Sequence, residues 1–152
     1  MKHLLIILIS FLLLSSFLTS CEKKEETLYV WGEYPFEWRE FGEKETHPKY
    51  IGEVENGVPN GKGIYTTPNG SKYVGDFKDG DFNGQGTYSW NNGEKFVGEF
   101  KDGLKNGQGT FTSFDGRKGV GEFKDGNAWN VKEYDKNGKF TKKFVNGKEI
   151  KQ

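Results

Sequence analysis

Tyr73-Val74-Gly75-Asp76-Phe77-Lys78-Asp79-Gly80-Asp81-Phe82-Asn83-Gly84-Gln85-Gly86-Thr87-Tyr88 is the stretch on which the fold turns. Tyr73, Gly75 and Phe77 occupy alternate positions, and so do Gly84, Gly86 and Tyr88. Alternation with a period of two marks a half-buried strand. Asp79-Gly80 lies between the two segments, and Asn91-Asn92-Gly93 follows the second. Asp-Gly and Asn-Gly favour tight hairpin turns because their residues tolerate positive φ. The unit is a β-hairpin whose inner face alternates rings with glycines. A glycine has no side chain, so a ring from a neighbouring strand can lie flat over its backbone.

Working outward, the hairpin recurs. Stretches 50–72, 73–95 and 96–118 align without a gap, and a fourth from Gly119 decays. Gly52, Gly75, Gly98 and Gly121 fall in one column, and Gly57, Gly80, Gly103 and Gly126 in another. Tyr65, Tyr88, Phe111 and Tyr134 form an aromatic column. One hairpin cannot bury its own rings, but stacked hairpins can, which is the logic of a solenoid. The expected architecture is all-β: an elongated, twisted, single-layer antiparallel sheet with an aromatic-and-glycine spine.

The pattern Y-x-G-E/D-F-x-x-G-x-x-x-G-x-G-x-Y resembles the MORN repeat. Residues 50–118 match it over three units, and residues 119–138 match in part. In the fourth unit Gly119 replaces the first aromatic, Asn130 and Lys132 replace the G-x-G pair, and the distance to Gly138 is one residue short. That unit is read as a cap, because terminal repeats meet water on their outer face. Phe140 to Val145 with Asn146-Gly147 gives one last strand and turn within a closing segment 139–147, ending a repeat domain of 50–147 and leaving 148–152 as a tail. Residues 28–49 hold Tyr29, Trp31, Tyr34, Phe36, Trp38 and Phe41 without matching the repeat. They are read as an aromatic cap over the first hairpin, with a recognition patch as the alternative. A leucine-rich repeat is excluded, since only Leu28 and Leu104 follow residue 20. The repeated Trp and Tyr-Tyr core of choline-binding wall repeats is absent too.

The amino terminus carries Lys2, an apolar stretch from Leu4 to Leu14, and then Ser15, Ser16, Thr19 and Ser20 before Cys21. A charged start, an apolar run and small residues form a secretory signal. An uncleaved membrane anchor is the plainer alternative, since the run is near the lower limit for spanning a bilayer. Leu18-Thr19-Ser20-Cys21 resembles the lipobox of bacterial lipoproteins. The resemblance implies a signal peptide over 1–20, lipidation of the Cys21 thiol and a membrane anchor. Cys21 is the one cysteine of the chain, so lipidation would leave no disulfide, and the fold must rest on burial alone. Residues 21–27, with Glu22-Lys23-Lys24-Glu25-Glu26, read as a flexible tether.

Charge excludes one class of partner. Removing Lys2, one of 22 basic residues against 22 acidic, leaves a net charge of one negative, which gives no electrostatic footprint for nucleic acid. Lys78, Lys101 and Lys124 are each followed by an Asp that cancels them locally, which argues against anionic lipid as well. Asp79, Asp81, Asn83 and Gly84 mimic the opening of a calcium loop, but Trp90 stands where its closing glutamate belongs. Gly57 to Lys62 mimics a phosphate loop one residue short. Both follow from hairpin punctuation. His47 alone cannot make an ordinary zinc site and reads as turn packing. Catalysis needs unlike groups converging on a point, whereas these repeats present like groups in rows. No enzyme activity, cofactor or metal is expected.

MORN repeats occur in scaffold proteins, in junctional membrane proteins and ahead of catalytic domains in some lipid kinases and lysine methyltransferases. Only the repeat part is resembled here. The implied function is a membrane-anchored envelope lipoprotein, exported across the inner membrane, that binds or scaffolds protein. Its partner would be an envelope protein or a second copy, and where two membranes exist Glu22 points to the outer one. The candidate groove comprises Tyr50, Tyr65, Tyr73, Tyr88, Trp90, Phe96 and Phe111. The alternative use of that groove is direct binding of a lipid headgroup or a glycan.

Overall fold

In the computed structural model, which describes residues 24–32 and 37–151, every regular element is a strand. The entry segment holds β1 (Lys24–Trp31) and β2 (Glu37–Arg39). Five hairpins follow: β3 (Lys49–Glu55) with β4 (Val58–Thr66), β5 (Lys72–Lys78) with β6 (Asp81–Ser89), β7 (Lys95–Lys101) with β8 (Leu104–Thr112), β9 (Lys118–Lys124) with β10 (Asn127–Tyr134), and β11 (Phe140–Val145) with β12 (Lys148–Lys151). They form one open antiparallel sheet in the order β12 through β3, then β1 and β2. At a strand spacing of about 4.8 Å the sheet runs roughly 50 Å across its strands. All-β, single-layer and antiparallel is what the period-two reading requires.

Each hairpin is closed by two residues at positive φ, as in Asp79 at 50° and Gly80 at 89°. Positive φ at both central positions is the turn whose twist matches the strands it joins, and it selects Asn-Gly and Asp-Gly. Successive tips are also tied together. The Gly80, Gly103 and Gly126 amides donate to the carbonyls of Pro59, Phe82 and Lys105 in the preceding hairpin, at 2.9–3.0 Å.

The spine explains the glycines. Tyr50, Tyr73 and Phe96 are 0% exposed. The ring of Tyr73 lies over Gly86 of the paired strand, and its hydroxyl, which covers Gly75 of its own strand, donates to the Asp76 carbonyl at 2.9 Å. The expected ring over Gly75 therefore comes from the same strand two residues earlier. Each ring also packs against the phenylalanine of the next hairpin: Tyr50 on Phe77 at 4.7 Å, Tyr73 on Phe100 at 5.0 Å, Phe96 on Phe123 at 4.9 Å. The units thus interlock, and none completes its core alone.

A bulge follows the first glycine of each repeat, where the register shifts between Gly75 and Phe77 and between Gly98 and Phe100. The acidic residue at the bulge holds the strand opposite. Asp76 Oδ2 accepts the Gln85 amide at 3.0 Å and Glu99 Oε1 accepts the Gln108 amide at 3.2 Å. The recurring Glu or Asp is thus a structural acceptor for an amide that the bulge leaves without a ladder partner.

The fourth hairpin departs from its expected alignment. Val131 pairs with Gly121, and Glu133 pairs with Gly119. Val131, not Lys132, thus stands where Gly109 stands in the third unit, and Glu133 rather than Tyr134 takes the place of Phe111. The missing residue slips the register by one, and a one-residue slip turns every side chain to the other face. The exchange is compensated: Gly119 supplies no ring, so the facing position accepts a side chain, and Val131 is 2% exposed.

Both ends extend beyond the expected boundaries. Lys24–Thr27 belong to β1 and pair with Ile51–Val54 rather than forming a tether, because Leu28 and Val30 of the same strand are buried. Lys148–Lys151 pair with β11 rather than trailing as a tail. Of the segment 28–49, Leu28 and Tyr29 pair with β3 of the first hairpin. Trp38 sets its ring edge-on against Tyr50 at 5.9 Å and Tyr65 at 6.4 Å. His47 packs on Trp31 at 3.9 Å between ring centres, as turn packing requires. The edge strands β2 and β12 are short and charged, which blunts edge-to-edge pairing. Cys21, Tyr34 and Phe36 lie outside the described residues.

Candidate functional site

Strand alternation sorts the sheet into two faces. On the ring face the first-strand aromatics are buried, so Tyr50, Tyr73 and Phe96 form a floor rather than a surface. The second-strand aromatics stay half-exposed above them. They form a line in which Tyr65 meets Phe82 at 5.6 Å, Phe82 meets Tyr88 at 5.9 Å, Tyr88 meets Trp90 at 4.6 Å and Trp90 meets Phe111 at 5.9 Å. Trp38 extends the line at its amino-terminal end. Of the seven residues named from the sequence, Tyr65, Tyr88, Trp90 and Phe111 are thus brought together at the surface.

A cavity of about 270 Å3 opens in this line, walled by Trp38, Tyr65, Phe82 and Tyr88, with Asp81 and the glycines of two hairpin tips at its rim. Burial and the neighbouring Asp102 and Asp79 hold the Asp81 carboxyl above its usual range. Burial pushes the Tyr65 hydroxyl up to about 12, with a smaller push from Tyr88. Burial, then the nearby carboxylates, raises Tyr50 and Tyr73 further. These phenols stay protonated and neutral at ordinary pH.

The other end of the line carries a cation. Lys105 Nζ stands 5.2 Å from the centre of Phe111, 5.6 Å from Phe123, and 5.8 Å from both Trp90 and Phe96. Desolvation lowers its ammonium pKa while the rings hold the charge by their quadrupoles. The face is therefore lined with rings, acidic beside the cavity, and basic at Lys105 beyond Trp90.

Phe82 and Lys105 were not among the residues expected from the sequence, and Trp38 was placed there in the aromatic cap rather than in the groove. Pro59, Phe82, Lys105 and Ala128 occupy equivalent places, each opposite the buried residue that follows the bulge. That column varies in an otherwise constant repeat, and the variation is the signal that marks it. The calcium-like stretch has a structural account: Asp79 sits in the turn and Asp81–Gly84 opens β6.

Comparison with known proteins fits this geometry. A family model described as MORN repeat matches residues 50–72, 73–95 and 96–116. No curated protein matches the chain.

Proposed function

We propose that this chain, which carries three MORN repeats over residues 50–116, is a lipid-anchored envelope protein that docks a protein partner along its ring face. MORN repeats make the chain a membrane- or protein-interaction module. The single observation that carries the finer reading is the line of half-exposed rings from Trp38 to Phe111, broken by a cavity and floored by a rigid spine. Aromatic residues on a preformed frame supply large contact area at low entropic cost, which is what the centre of a protein interface needs. The anchor rests on Leu18-Thr19-Ser20-Cys21. The reading includes no catalysis and no cofactor.

Protein is favoured over an anionic headgroup by charge. Lys105, Lys124 and Lys142 stand over different rings rather than in one cluster, and Asp79, Asp81 and Asp102 gather beside the cavity. Headgroup capture draws on clustered Lys and Arg. The test is co-sedimentation of residues 22–152 with phosphatidylglycerol vesicles at physiological salt. The expected result is weak or absent binding. Strong, salt-sensitive binding would replace this reading with the headgroup one.

A further inference from the structure

Trp38, Tyr65, Phe82 and Tyr88 wall the cavity on the ring face. Between ring centres, Trp38 stands 6.4 Å from Tyr65, Tyr65 5.6 Å from Phe82, and Phe82 5.9 Å from Tyr88. An aromatic ring is negative on its face, so rings gathered round a cavity attract a cation. Asp81 stands at the rim. Its column in the repeat reads Val58, Asp81, Leu104 and Asn127, so the acid of that column falls at this cavity. The charges that act on Asp81 are Asp102 and Asp79, both of its own sign. Lys78, its ladder partner, makes no ion pair with it, and among the described residues no hydrogen bond reaches its carboxylate.

The same line of rings holds a cation of its own one repeat further on. Lys105 stands in the column of Phe82, and its Nζ lies 5.2–5.8 Å from the centres of Phe111, Phe123, Trp90 and Phe96. At the cavity that column instead gives Phe82, which lies flat on Tyr73 at 4.0 Å and brings no charge. Among the described residues no lysine or arginine stands over the four wall rings. We infer that the cavity takes the ammonium of a lysine side chain from the docked protein, seated between the rings and hydrogen-bonded to Asp81. The inference rests on the docking reading above and names what the partner must present. A primary ammonium has three N–H donors for the rim carboxylate, whereas a quaternary one has none. Its charge also offsets the crowding of three carboxylates, which a neutral occupant would leave in place. A volume of about 270 Å3, just below the range of drug-sized ligand sites, suits one side chain.

Nuclear magnetic resonance of the isotope-labelled full chain in a nonionic detergent tests the inference. The signal to follow is the Trp38 indole N–H, assigned by its loss in Trp38→Phe. n-Butylammonium, which copies the end of a lysine side chain, should shift it saturably. n-Butanol, its neutral counterpart, should bind about tenfold more weakly or worse, and Asp81→Asn should weaken n-butylammonium by a similar factor while keeping the wild-type melting temperature. No saturable shift, equal binding of n-butanol, or indifference to Asp81→Asn would overturn the inference. Tighter binding of butyltrimethylammonium than of n-butylammonium would assign the cavity to a quaternary headgroup and overturn the lysine. A second arm separates this inference from the docking reading. A photoreactive analogue at position 111, in cells, traps a docked protein away from the cavity, and Asp81→Asn should reduce that adduct severalfold. An undiminished protein adduct would overturn the lysine and leave docking standing. No protein adduct in either chain would remove docking and this occupant together.

Discussion

A side chain at Gly98 would stand 2.5 Å from the Gly109 Cα and 2.9 Å from the Phe96 ring, and closer still to the Gln108 carbonyl. Two of these neighbours are backbone in a hydrogen-bonded ladder and cannot move aside. Gly98→Val should therefore cost about 3 kcal/mol, the upper end of overpacking. Lys101→Ala, exposed at a hairpin tip, should stay within about 0.5 kcal/mol of wild type. Thermal melts of the two variants check the register, and equal melting temperatures would refute it. The tyrosines give a second test. Tyr65 ionises near 10 when unfolded and at about 12 when folded, so the folded state holds its proton longer. Its contribution is complete below about pH 10 and is lost as pH rises toward 12, the sense expected for a raised pKa. Tyr50 and Tyr73 shift in the same direction. Stability should be flat to pH 10 and then fall. Absorbance at the phenolate band should rise together with loss of β-sheet ellipticity, and phenolate forming well before unfolding would contradict this burial. The rings and glycines were legible in the sequence because each repeats at one spacing. The roles of Asp76 and Glu99 were not, because a bulge amide has no signature of its own in the sequence.

At the scale of elements, the first three hairpins were legible and the fourth was misaligned by one residue. Column counting holds only while no residue is lost. The loss within 127–133 shows in the structure as a register shift between Ala128 and Asn130. The pairing of Gly119 with Val131 makes a quantitative prediction. Val131→Gly removes a buried side chain and should cost about 2–4 kcal/mol. Gly119→Phe alone places a ring where the Val131 Cγ1 already stands 3.2 Å from the would-be Cβ, and it should destabilise as well. Together they recreate the ring-over-glycine arrangement of the third unit. The double variant should recover about 0.5–3 kcal/mol relative to the sum of the single changes. Additive costs in a double-mutant cycle would show that the two positions do not share one site. The boundaries of the sheet were less legible than its centre. Lys24–Thr27 and Lys148–Lys151 are polar by composition, and their strand state comes from edge pairing to neighbours far better specified than themselves.

At the scale of the molecule, the repeats fix a frame and leave its use to positions that vary. Part of the candidate surface was legible, because Tyr65, Tyr88 and Phe111 recur at one position of the second strands and Trp90 lies two residues beyond Tyr88. The buried Tyr50, Tyr73 and Phe96 follow the same alternation, so periodicity alone could not separate floor from surface. Trp38 reaches the line from the entry segment through tertiary contact, which no repeat period encodes. The anchor is tested separately: Cys21→Ser should abolish incorporation of a clickable fatty acid, and label retained on that variant would remove the lipoprotein reading. The central claim is that the ring face docks a protein. A photoreactive phenylalanine analogue at position 111, in the full chain in intact cells, probes the ring that lies 5.9 Å from Trp90. Docking predicts one discrete protein adduct, lost when Trp90 is changed to Thr, the residue that fills the same column as Thr67 in the first repeat. Adducts to lipid alone, or a protein adduct indifferent to Trp90→Thr, would contradict it.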